Sequence, residues 1–437
     1  MGRKYDFDYI VIGSGPAGSA AALTLAKSKK RVALVEGHYF GGANLNTRDV
    51  PYSVALDFSH TYHKVSHFPE FSHQDFSFNF PTIVAHQLKA VIESGGGNNQ
   101  KIFDNSGIVC LHGYANFLDA NTIAVGDQKI TSYNFIIATG SHLDTSSITG
   151  ADAVNYLTPD TAIKIRRLPK VAIVVGGGST GCEIAEYYAK LGTKVILMEK
   201  SNRILPREDK DVSTFVTNYF SNDLGIMVLP GCKVIALEQD DLSKRVIFQN
   251  NRTEKMVRVD CIVIATGSQP NTNLGLENAK VKYTPAGIKV DKFFQTSAKN
   301  IYAIGDCIND VSSTERAYDA GKILASNILN KAKNTANYNG VARVTNTSPA
   351  IVSIGLSEDE LNHRKRKYKK SVIKISETPA SKIYNIRHGF VKLIVDHSNH
   401  VIGGTIIALN AMSMSAELAL AIRHHLTALE LASTPHI

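Results

Sequence analysis

The order of apolar and polar positions repeats at two places in this 437-residue chain. In each place an apolar run leads into a glycine-rich turn, a helical segment and a second apolar run that ends at a glutamate. Residues 9–36 form the first copy and residues 171–199 form the second. Strands that are buried on both faces of a parallel sheet read as continuous apolar runs. The pattern therefore predicts an α/β protein with two Rossmann-type strand–helix–strand units.

The glycine-rich turn of the first copy reads Gly-Ser-Gly-Pro-Ala-Gly over residues 13–18. Its glycines permit a tight turn and let the backbone approach a pyrophosphate at the helix N-terminus. Glu36 lies 18 residues after Gly18, where a carboxylate accepts hydrogen bonds from ribose hydroxyls. The predicted dinucleotide-binding residues of this copy are Gly13, Gly15, Pro16, Ala17, Gly18, Glu36 and Gly37.

The second copy carries the same features, with a turn over residues 176–181 and an acid 18 residues later at Glu199. A carboxylate there repels the 2′-phosphate of NADP, so NAD is the favoured ligand. Lys200 and Arg203 follow closely and leave NADP as the less favoured alternative. The predicted binding residues of this copy are Gly176, Gly178, Ser179, Thr180, Gly181 and Glu199.

Further apolar runs complete each unit. Two of them end in the same Ile-Ala-Thr-Gly sequence, at residues 137–140 and 264–267, and a third, residues 301–304, precedes Gly305 and Asp306. Strand, glycine turn, helix, strand and acid arrive in order in both copies, which is a stronger signal than an isolated GxGxxG.

Length and composition agree with a globular protein of about three domains. No run of about 18 apolar residues is present and the start has no apolar signal core, so we expect a cytoplasmic protein without a membrane span. The formal charge is +9, and residues 363–370 contribute much of the excess. We expect this run to be a surface loop or strand edge, rather than a site for nucleic acid or anionic lipid.

The five cysteines are scattered. None lies within five residues of another, so no local dithiol or zinc pattern exists. Most of them occur in apolar or glycine-rich contexts, where a buried and unreactive thiol is the usual case. The sequence therefore predicts no cysteine-based chemistry from neighbouring thiols.

At this point the chain resembles the class I pyridine nucleotide-disulfide oxidoreductases, which include dihydrolipoamide dehydrogenase, glutathione reductase and mercuric reductase. The resemblance covers nearly the whole chain and implies FAD in the first Rossmann-type domain, NAD in the second, and a homodimer. It predicts an α/β fold of two dinucleotide-binding domains plus a C-terminal α/β dimerisation domain. The expected segments are FAD-binding 1–147, NAD-binding 148–273, the return to the FAD domain 274–341, and dimerisation 342–437, truncated at its C-terminus.

The same resemblance implies further ligand contacts. On the FAD side these involve Gly42, Ala115, Ala138, Thr139, Gly140, Gly305, Asp306 and Thr314. On the nicotinamide side they involve Val234, Thr266 and Gly267.

The chain also departs from the family pattern. In the family, paired glycines lead into a helix that carries two cysteines with four residues between them, and here these positions hold Asn44 and Asp49. The family lysine that follows is absent, whereas its partner glutamate matches Glu183. The family's closing His-Pro-x-x-x-Glu motif is incomplete, and His436 is a poor substitute for its histidine. A disulfide relay needs a thiolate that attacks sulfur, so Asn44, Asp49 and Glu183 are the expected catalytic positions of a different chemistry.

We therefore expect an FAD-dependent NADH oxidoreductase, diaphorase- or transhydrogenase-like, that passes hydride from NADH to flavin. Its partner would be a small-molecule electron acceptor such as a quinone, oxygen or a second nicotinamide. The alternative is a degenerate relative that binds the cofactors but has a binding or regulatory role and no turnover. Intact glycine turns in both copies favour the enzyme.

Three histidines remain outside this scheme. His60, His63 and His67 have the spacing i, i+3 and i+7, which puts them on one face of a helix. Such spacing is able to ligate a metal. We expect a polar helix face rather than a metal site.

Overall fold

A computed structural model describes residues 4–68, 77–97, 100–240, 243–308, 313–384, 386 and 388–435. Within these residues the chain forms two compact units. The first contains residues up to 54, 82–144 and 268–337, and the second contains residues 55–81, 145–267 and 338 onward. Among the described helices, none combines the length and the apolar content that a bilayer crossing needs.

Helices and strands alternate along the first 144 residues. The helices are α1 (Pro16–Lys27), α2 (Gly42–Asn46), α3 (Asp49–Ser66), α4 (Phe80–Glu93) and α5 (Lys101–Asp104). The strands are β1 (Phe7–Ile12), β2 (Val32–Glu36), β3 (Val109–His112), β4 (Ala115–Phe117), β5 (Thr122–Val125), β6 (Gln128–Ile137) and β7 (Ser141–Leu143).

In the described residues of the segment 145–267, the α-helices are α6 (Pro159–Ala162), α7 (Ser179–Lys190) and α8 (Lys210–Asn222). Its strands are β8 (Val171–Val175), β9 (Lys194–Glu199), β10 (Met227–Pro230), β11 (Cys232–Gln239), β12 (Lys244–Asn250), β13 (Thr253–Val259) and β14 (Cys261–Ile264). The segment 268–337 contains β15 (Ser268–Pro270), β16 (Tyr283–Thr284), β17 (Gly287–Ile288), β18 (Ile301–Ala303) and α9 (Thr314–Asn330).

The remaining residues form strands β19 (Arg343–Thr345), β20 (Ala350–Gly355), β21 (Lys369–Lys374), β22 (Phe390–Val395) and β23 (Val401–Ala408). Their helices are α10 (Glu358–His363), α11 (Pro379–Ile383), α12 (Ala411–Arg423) and α13 (Ala428–Ser433). His436 lies outside the described residues.

The first unit is built on a sheet with the order β3-β2-β1-β6-β5-β4, and β18 also pairs with β6. Strands β1, β2, β3 and β18 run parallel to their neighbours, and β4 and β5 continue the sheet as an antiparallel hairpin extension. The pairing of β18 with β6 returns the chain to this sheet after the second dinucleotide fold. The buried residues 10–12 of β1 and 32–35 of β2 belong to its core, as the apolar runs in the sequence predict.

The second unit contains a parallel sheet with the order β10-β9-β8-β14 and an antiparallel three-stranded sheet β11-β12-β13. A separate antiparallel sheet has the order β19-β20-β23-β22-β21. The apolar face of α12, with Leu418, Ala421 and Ile422, packs on β20 and β23. These sheets confirm the predicted α/β fold class with two Rossmann-type sheets and a C-terminal α/β domain.

Candidate functional site

The turn between β1 and α1 has the form that a bound pyrophosphate requires. Gly13 has a φ of 102°, and a Cβ at this position would collide with the carbonyl oxygen of Ala138. A Cβ on Gly18 would collide with the carbonyl oxygen of Gly13. A Cβ on Gly15 would meet no atom within 4 Å, so open space lies beside this residue at the N-terminus of α1. The backbone N–H groups there can donate hydrogen bonds to an anion.

The turn between β8 and α7 repeats this arrangement. A Cβ on Gly176 would collide with the carbonyl oxygen of Ala265, and one on Gly181 with the carbonyl oxygen of Gly176. A Cβ on Gly178 would again meet no atom within 4 Å. In each turn, therefore, the outer glycines are required by protein contacts and the middle glycine borders open space.

The two acidic residues occupy equivalent positions at the ends of β2 and β9. Glu36 accepts hydrogen bonds from the backbone N–H of Ser14 at 2.9 Å and from its hydroxyl at 2.6 Å. Glu199 accepts a hydrogen bond of 2.7 Å from the backbone N–H of Gly177. Each carboxylate also accepts a hydrogen bond from the backbone N–H two residues later, that of His38 for Glu36 and that of Ser201 for Glu199. Both side chains are therefore fixed beside their glycine turns, and a carboxylate has about four acceptor positions in all, enough to add ribose hydroxyls.

The other positions that the sequence predicts to contact FAD belong to the first unit. Ala115 begins β4, residues 138–140 follow β6, and Gly305 and Asp306 follow β18 in a 3₁₀ turn, where Ser141 donates a 3.4 Å hydrogen bond to the Asp306 carboxylate. The positions that the sequence predicts to contact the nicotinamide dinucleotide all belong to the second unit. Helix α7 begins with Ser179, Thr180 and Gly181. Val234 lies on β11, and Thr266 and Gly267 follow β14.

Helix α2 places Asn44, which the resemblance matches to a redox cysteine, close to the turn between β1 and α1. A Cβ on Gly42 would lie 2.6 Å from the Cα of Gly15, so α2 begins in direct contact with the turn. Only a glycine permits this approach, because the φ of Gly42 is 69° and a side chain has no room. Asn44 follows within this short helix.

Asn44 and Asp49 lie against one another, although a break separates their helices. The amide Nδ2 of Asn44 donates to the Asp49 carboxylate and also lies 3.1 Å from Oγ1 of Thr314. The Thr314 hydroxyl, at the start of α9, donates a 2.9 Å hydrogen bond to Asp49. The structure therefore brings together three of the predicted positions, and none of the three contains sulfur.

The environment of Asp49 favours its protonated form relative to an isolated aspartate. Loss of hydration raises the pKa of the Asp49 carboxyl group, and the nearby Glu315 charge acts in the same direction. The hydrogen bond from Thr314 and the Arg48 charge oppose this increase only partly. Asp49 is therefore a carboxyl group that can hold a proton more readily than usual.

The five cysteines are free thiols, and four of them are buried. Burial raises the pKa of Cys307 and of Cys261 to about 11. Burial raises the pKa of the half-buried Cys110 to about 12. These three thiols are protonated at neutral pH and are poor nucleophiles, because the thiolate is the reactive form.

Glu183 is buried near the middle of α7 and accepts hydrogen bonds from Asn346. Its Oε1 accepts hydrogen bonds from the backbone N–H of Asn346 at 2.6 Å and from the Asn346 side chain at 3.0 Å. The sequence expectation for this position, a glutamate that pairs with a lysine in the family, did not include this contact. The structure thus fixes the Glu183 carboxylate through β19 and its following loop.

A buried charge cluster that the sequence did not predict joins two residues of α7 to a histidine of α3. Glu186 is fully buried and pairs with Lys190 at 2.9 Å and with His60 Nε2 at 3.2 Å. Burial acts to raise the pKa of Glu186, but Lys190 and His60 outweigh it and hold the pKa below its ordinary value. The sequence does show an acid and a lysine at i, i+4, which predicts an ion pair on a helix. It does not show that this pair is buried.

A second cluster surrounds Lys392, which is completely buried on β22. Its Nζ lies 2.7 Å from Asp209, 2.9 Å from Asp211 and 3.0 Å from Glu358. The three carboxylates have the spacing of a cation site, and the lysine ammonium already occupies their centre. In the sequence, the feature that could have indicated this cluster is a lysine at an inward position of an otherwise apolar strand.

Two dinucleotide-binding folds and a separate antiparallel domain define a class of flavin- and nicotinamide-binding oxidoreductases. Residues 7–321 match the family model described as "Pyridine nucleotide-disulphide oxidoreductase", and residues 341–437 match the dimerisation domain of the same family. The chain belongs to the pyridine nucleotide-disulphide oxidoreductase family. The family is FAD-dependent and uses NAD(P)H, and the dimerisation domain indicates a homodimer.

Several relatives align along nearly the whole chain. A dihydrolipoyl dehydrogenase of Buchnera aphidicola is 30% identical over 100% of this chain and 94% of its own length. A mercuric reductase of Staphylococcus aureus is 30% identical over 97% of this chain and 78% of its own length. Among solved structures, the HOCl-induced flavoprotein disulfide reductase RclA from Escherichia coli, in its Cu(II) complex, superposes with a TM-score of 0.88 at 23% identity. This similarity covers 100% of this chain and 96% of that chain and supports the fold.

Proposed function

We propose that this protein is an FAD-dependent NADH oxidoreductase that transfers electrons from reduced flavin to a small non-disulfide acceptor. The observation that carries the proposal is the cluster of Asn44, Asp49 and Thr314. The two positions that match the family's redox cysteines lie together, but they offer an amide and a carboxyl group. A relay through sulfur needs a thiolate at this place, and neither side chain can form one.

The residues of the first unit fit FAD, and those of the second fit a nicotinamide dinucleotide. Open space borders Gly15 and Gly178, and Glu36 and Glu199 are fixed beside it. When bound, the flavin supplies hydride acceptance from NADH and onward electron transfer. The chain's own contribution is to orient the two dinucleotides and to keep Asp49 and Thr314 in a hydrogen-bonded pair.

The nicotinamide partner is NADH under this proposal. Glu199 presents a buried carboxylate at the end of β9, where the 2′-phosphate of NADPH would bring a second negative charge. The cost of placing like charges together favours the unphosphorylated ribose. We further infer that the chain follows the order FAD-binding, NAD-binding, FAD-binding return and dimerisation, which the pairing of β18 with β6 supports.

The test is anaerobic stopped-flow mixing of the flavin-loaded protein with NADH, followed by a panel of acceptors. The proposal expects bleaching of the oxidised flavin band and its recovery with a quinone, oxygen or a nicotinamide analogue. Absence of bleaching in protein that retains flavin would support the alternative, a binding or regulatory protein without turnover. Rapid turnover of lipoamide or glutathione disulfide would contradict the role given to Asn44 and Asp49. Cys110→Ser controls for a contribution of a cysteine thiol to turnover, because Cys110 is the least buried of the five cysteines.

A further inference from the structure

Helix α3 carries two histidines whose side chains contact each other. The imidazole rings of His63 and His67 are stacked, with centroids 4.1 Å apart and an angle of 19° between their planes. Residues at i and i+4 project from the same face of a helix. Two imidazolium rings at this distance would repel one another, whereas two neutral rings are able to share a metal ion.

The hydrogen bonds of His67 leave one ring nitrogen ready to ligate. Nδ1 of His67 lies 3.0 Å from the backbone carbonyl oxygen of His63 and 3.0 Å from the hydroxyl of Ser66. A carbonyl oxygen only accepts hydrogen bonds, so Nδ1 carries the proton and Nε2 holds the lone pair. Metal-binding histidines are usually oriented by the same type of bond from the other ring nitrogen to a backbone carbonyl.

The pair is accessible from one side. His63 is half-buried and His67 is exposed, so the pair is fixed on one side and reachable from solvent on the other.

We propose that His63 and His67 form a two-histidine site for a borderline divalent transition metal ion such as Cu(II), Ni(II) or Zn(II). Imidazole nitrogen is a favoured ligand of these ions, and Cu(II) binds most tightly in the usual order of affinities. Two histidines at i, i+4 on one helix face are an established zinc-ligating arrangement. Small rotations of the two rings direct both Nε2 atoms toward one ion, and water completes its coordination.

His60 does not belong to this pair. Its Nε2 contacts the Glu186 carboxylate at 3.2 Å, and recruitment of that nitrogen would break the contact. The proposal therefore has two protein ligands rather than the three that the sequence spacing allows. It is independent of the redox function, since no flavin or nicotinamide residue takes part.

The test uses the full chain and Cu(II), with affinity measured by competition against a chelating dye and nitrogen ligation measured by electron paramagnetic resonance. The expected result is one specific equivalent of Cu(II) with hyperfine splitting from two imidazole nitrogens. His63→Ala and His67→Ala should each weaken binding by at least about tenfold, since loss even of outer support costs that much. His60→Ala should leave two-nitrogen ligation intact.

Two controls separate the site from adventitious binding. Lys64→His combined with His67→Ala keeps the number of histidines but places them at i, i+1, where side chains do not face each other, so it should lose the specific equivalent. His424→Ala with His425→Ala removes another histidine pair and should change nothing. Equal Cu(II) affinity in the wild type and the His67→Ala variant would overturn the proposal, and so would an equal loss in the His424/His425 control. Zn(II) protection of the His63/His67 pair from a histidine-modifying reagent provides a second readout in folded protein.

Discussion

The Thr314 hydroxyl donates a hydrogen bond of 2.9 Å to the carboxylate of Asp49, across 265 positions of sequence. This bond joins the first residue of α3 to the first residue of α9 within one compact unit. By the resemblance seen in the sequence, Asp49 stands where the family has a redox cysteine, and Thr314 is predicted to lie near the flavin. The bond therefore supports the proposal that a carboxyl group, rather than a disulfide, occupies this place.

Substitution of Asp49 by asparagine tests the environment of this carboxyl group. Folding raises the Asp49 pKa, so ionisation at neutral pH opposes folding, and the opposition disappears as the pH falls below the ordinary aspartate range. Asp49→Asn should therefore raise Tm by about 1–3 °C at pH 7 to 8. At pH values below the ordinary aspartate pKa the substitution should leave Tm unchanged. Asp127→Asn, in the exposed turn after β5, is the control and should be neutral at both pH values. A lower Tm for Asp49→Asn at pH 7 would contradict this account.

The middle glycines of the two turns allow cofactor binding to be disrupted without disruption of the fold. A Cβ on Gly15 or Gly178 meets no protein atom within 4 Å, so valine at either position should fill ligand space and leave the fold intact. Gly178→Val should retain flavin but slow its reduction by NADH at least about tenfold, or about 1.4 kcal/mol. Gly15→Val should instead lose flavin. Flavin absorbance and stopped-flow reduction measure the two effects.

The outer glycine Gly181 provides the contrasting case. A Cβ there collides with the carbonyl oxygen of Gly176, so Gly181→Ala should destabilise the protein by about 1–3 kcal/mol in urea unfolding. A stability equal to that of Gly178→Val would show that the turn relaxes to accept the methyl group.

Glu199 should decide between the two nicotinamide dinucleotides. Its carboxylate is fixed by the Gly177 N–H at 2.7 Å, and removal of its charge relieves repulsion of a 2′-phosphate. Glu199→Gln should therefore reduce the preference for NADH over NADPH by about tenfold, measured as the ratio of kcat/KM values. An unchanged ratio, with flavin content preserved, would show that the carboxylate does not face the ribose.

Lys392 should be the most costly charged side chain to remove from the C-terminal sheet. Lys392→Met leaves Asp209, Asp211 and Glu358 without their shared cation, which we expect to destabilise the protein by about 3–5 kcal/mol. Lys374→Met is the matched control on the exposed edge strand β21 and should change stability by less than about 0.5 kcal/mol. Equilibrium urea unfolding of the two variants gives the comparison directly.

The parts of the fold that depend on local sequence were predicted well. The apolar runs before each glycine turn form β1 and β8, and the helical segments that were predicted next form α1 and α7. These helices begin inside the glycine-rich segments, at Pro16 and at Ser179. The charged run at residues 363–370 is largely exposed and leads into the edge strand β21, as expected.

The parts that depend on distant contacts were not predicted. Nothing in the local pattern shows that Glu186 is fully buried, or that three carboxylates from separate segments meet at Lys392. The contact between Asn44 and Asp49 was implied only by resemblance, and its link to Thr314 needed the tertiary structure. Such pairings are set by packing between elements, which periodicity along one chain does not encode.

The electron capacity of the purified protein tests the central proposal most directly. In an anaerobic titration with dithionite, followed by flavin absorbance, a flavin without a disulfide partner takes up about two electrons, and a flavin beside a redox-active disulfide takes up about four. We predict about two electrons per bound flavin, in wild type and in Cys110→Ser alike. Uptake of about four electrons per flavin would contradict the assignment of Asn44 and Asp49 as the residues that replace the sulfur pair.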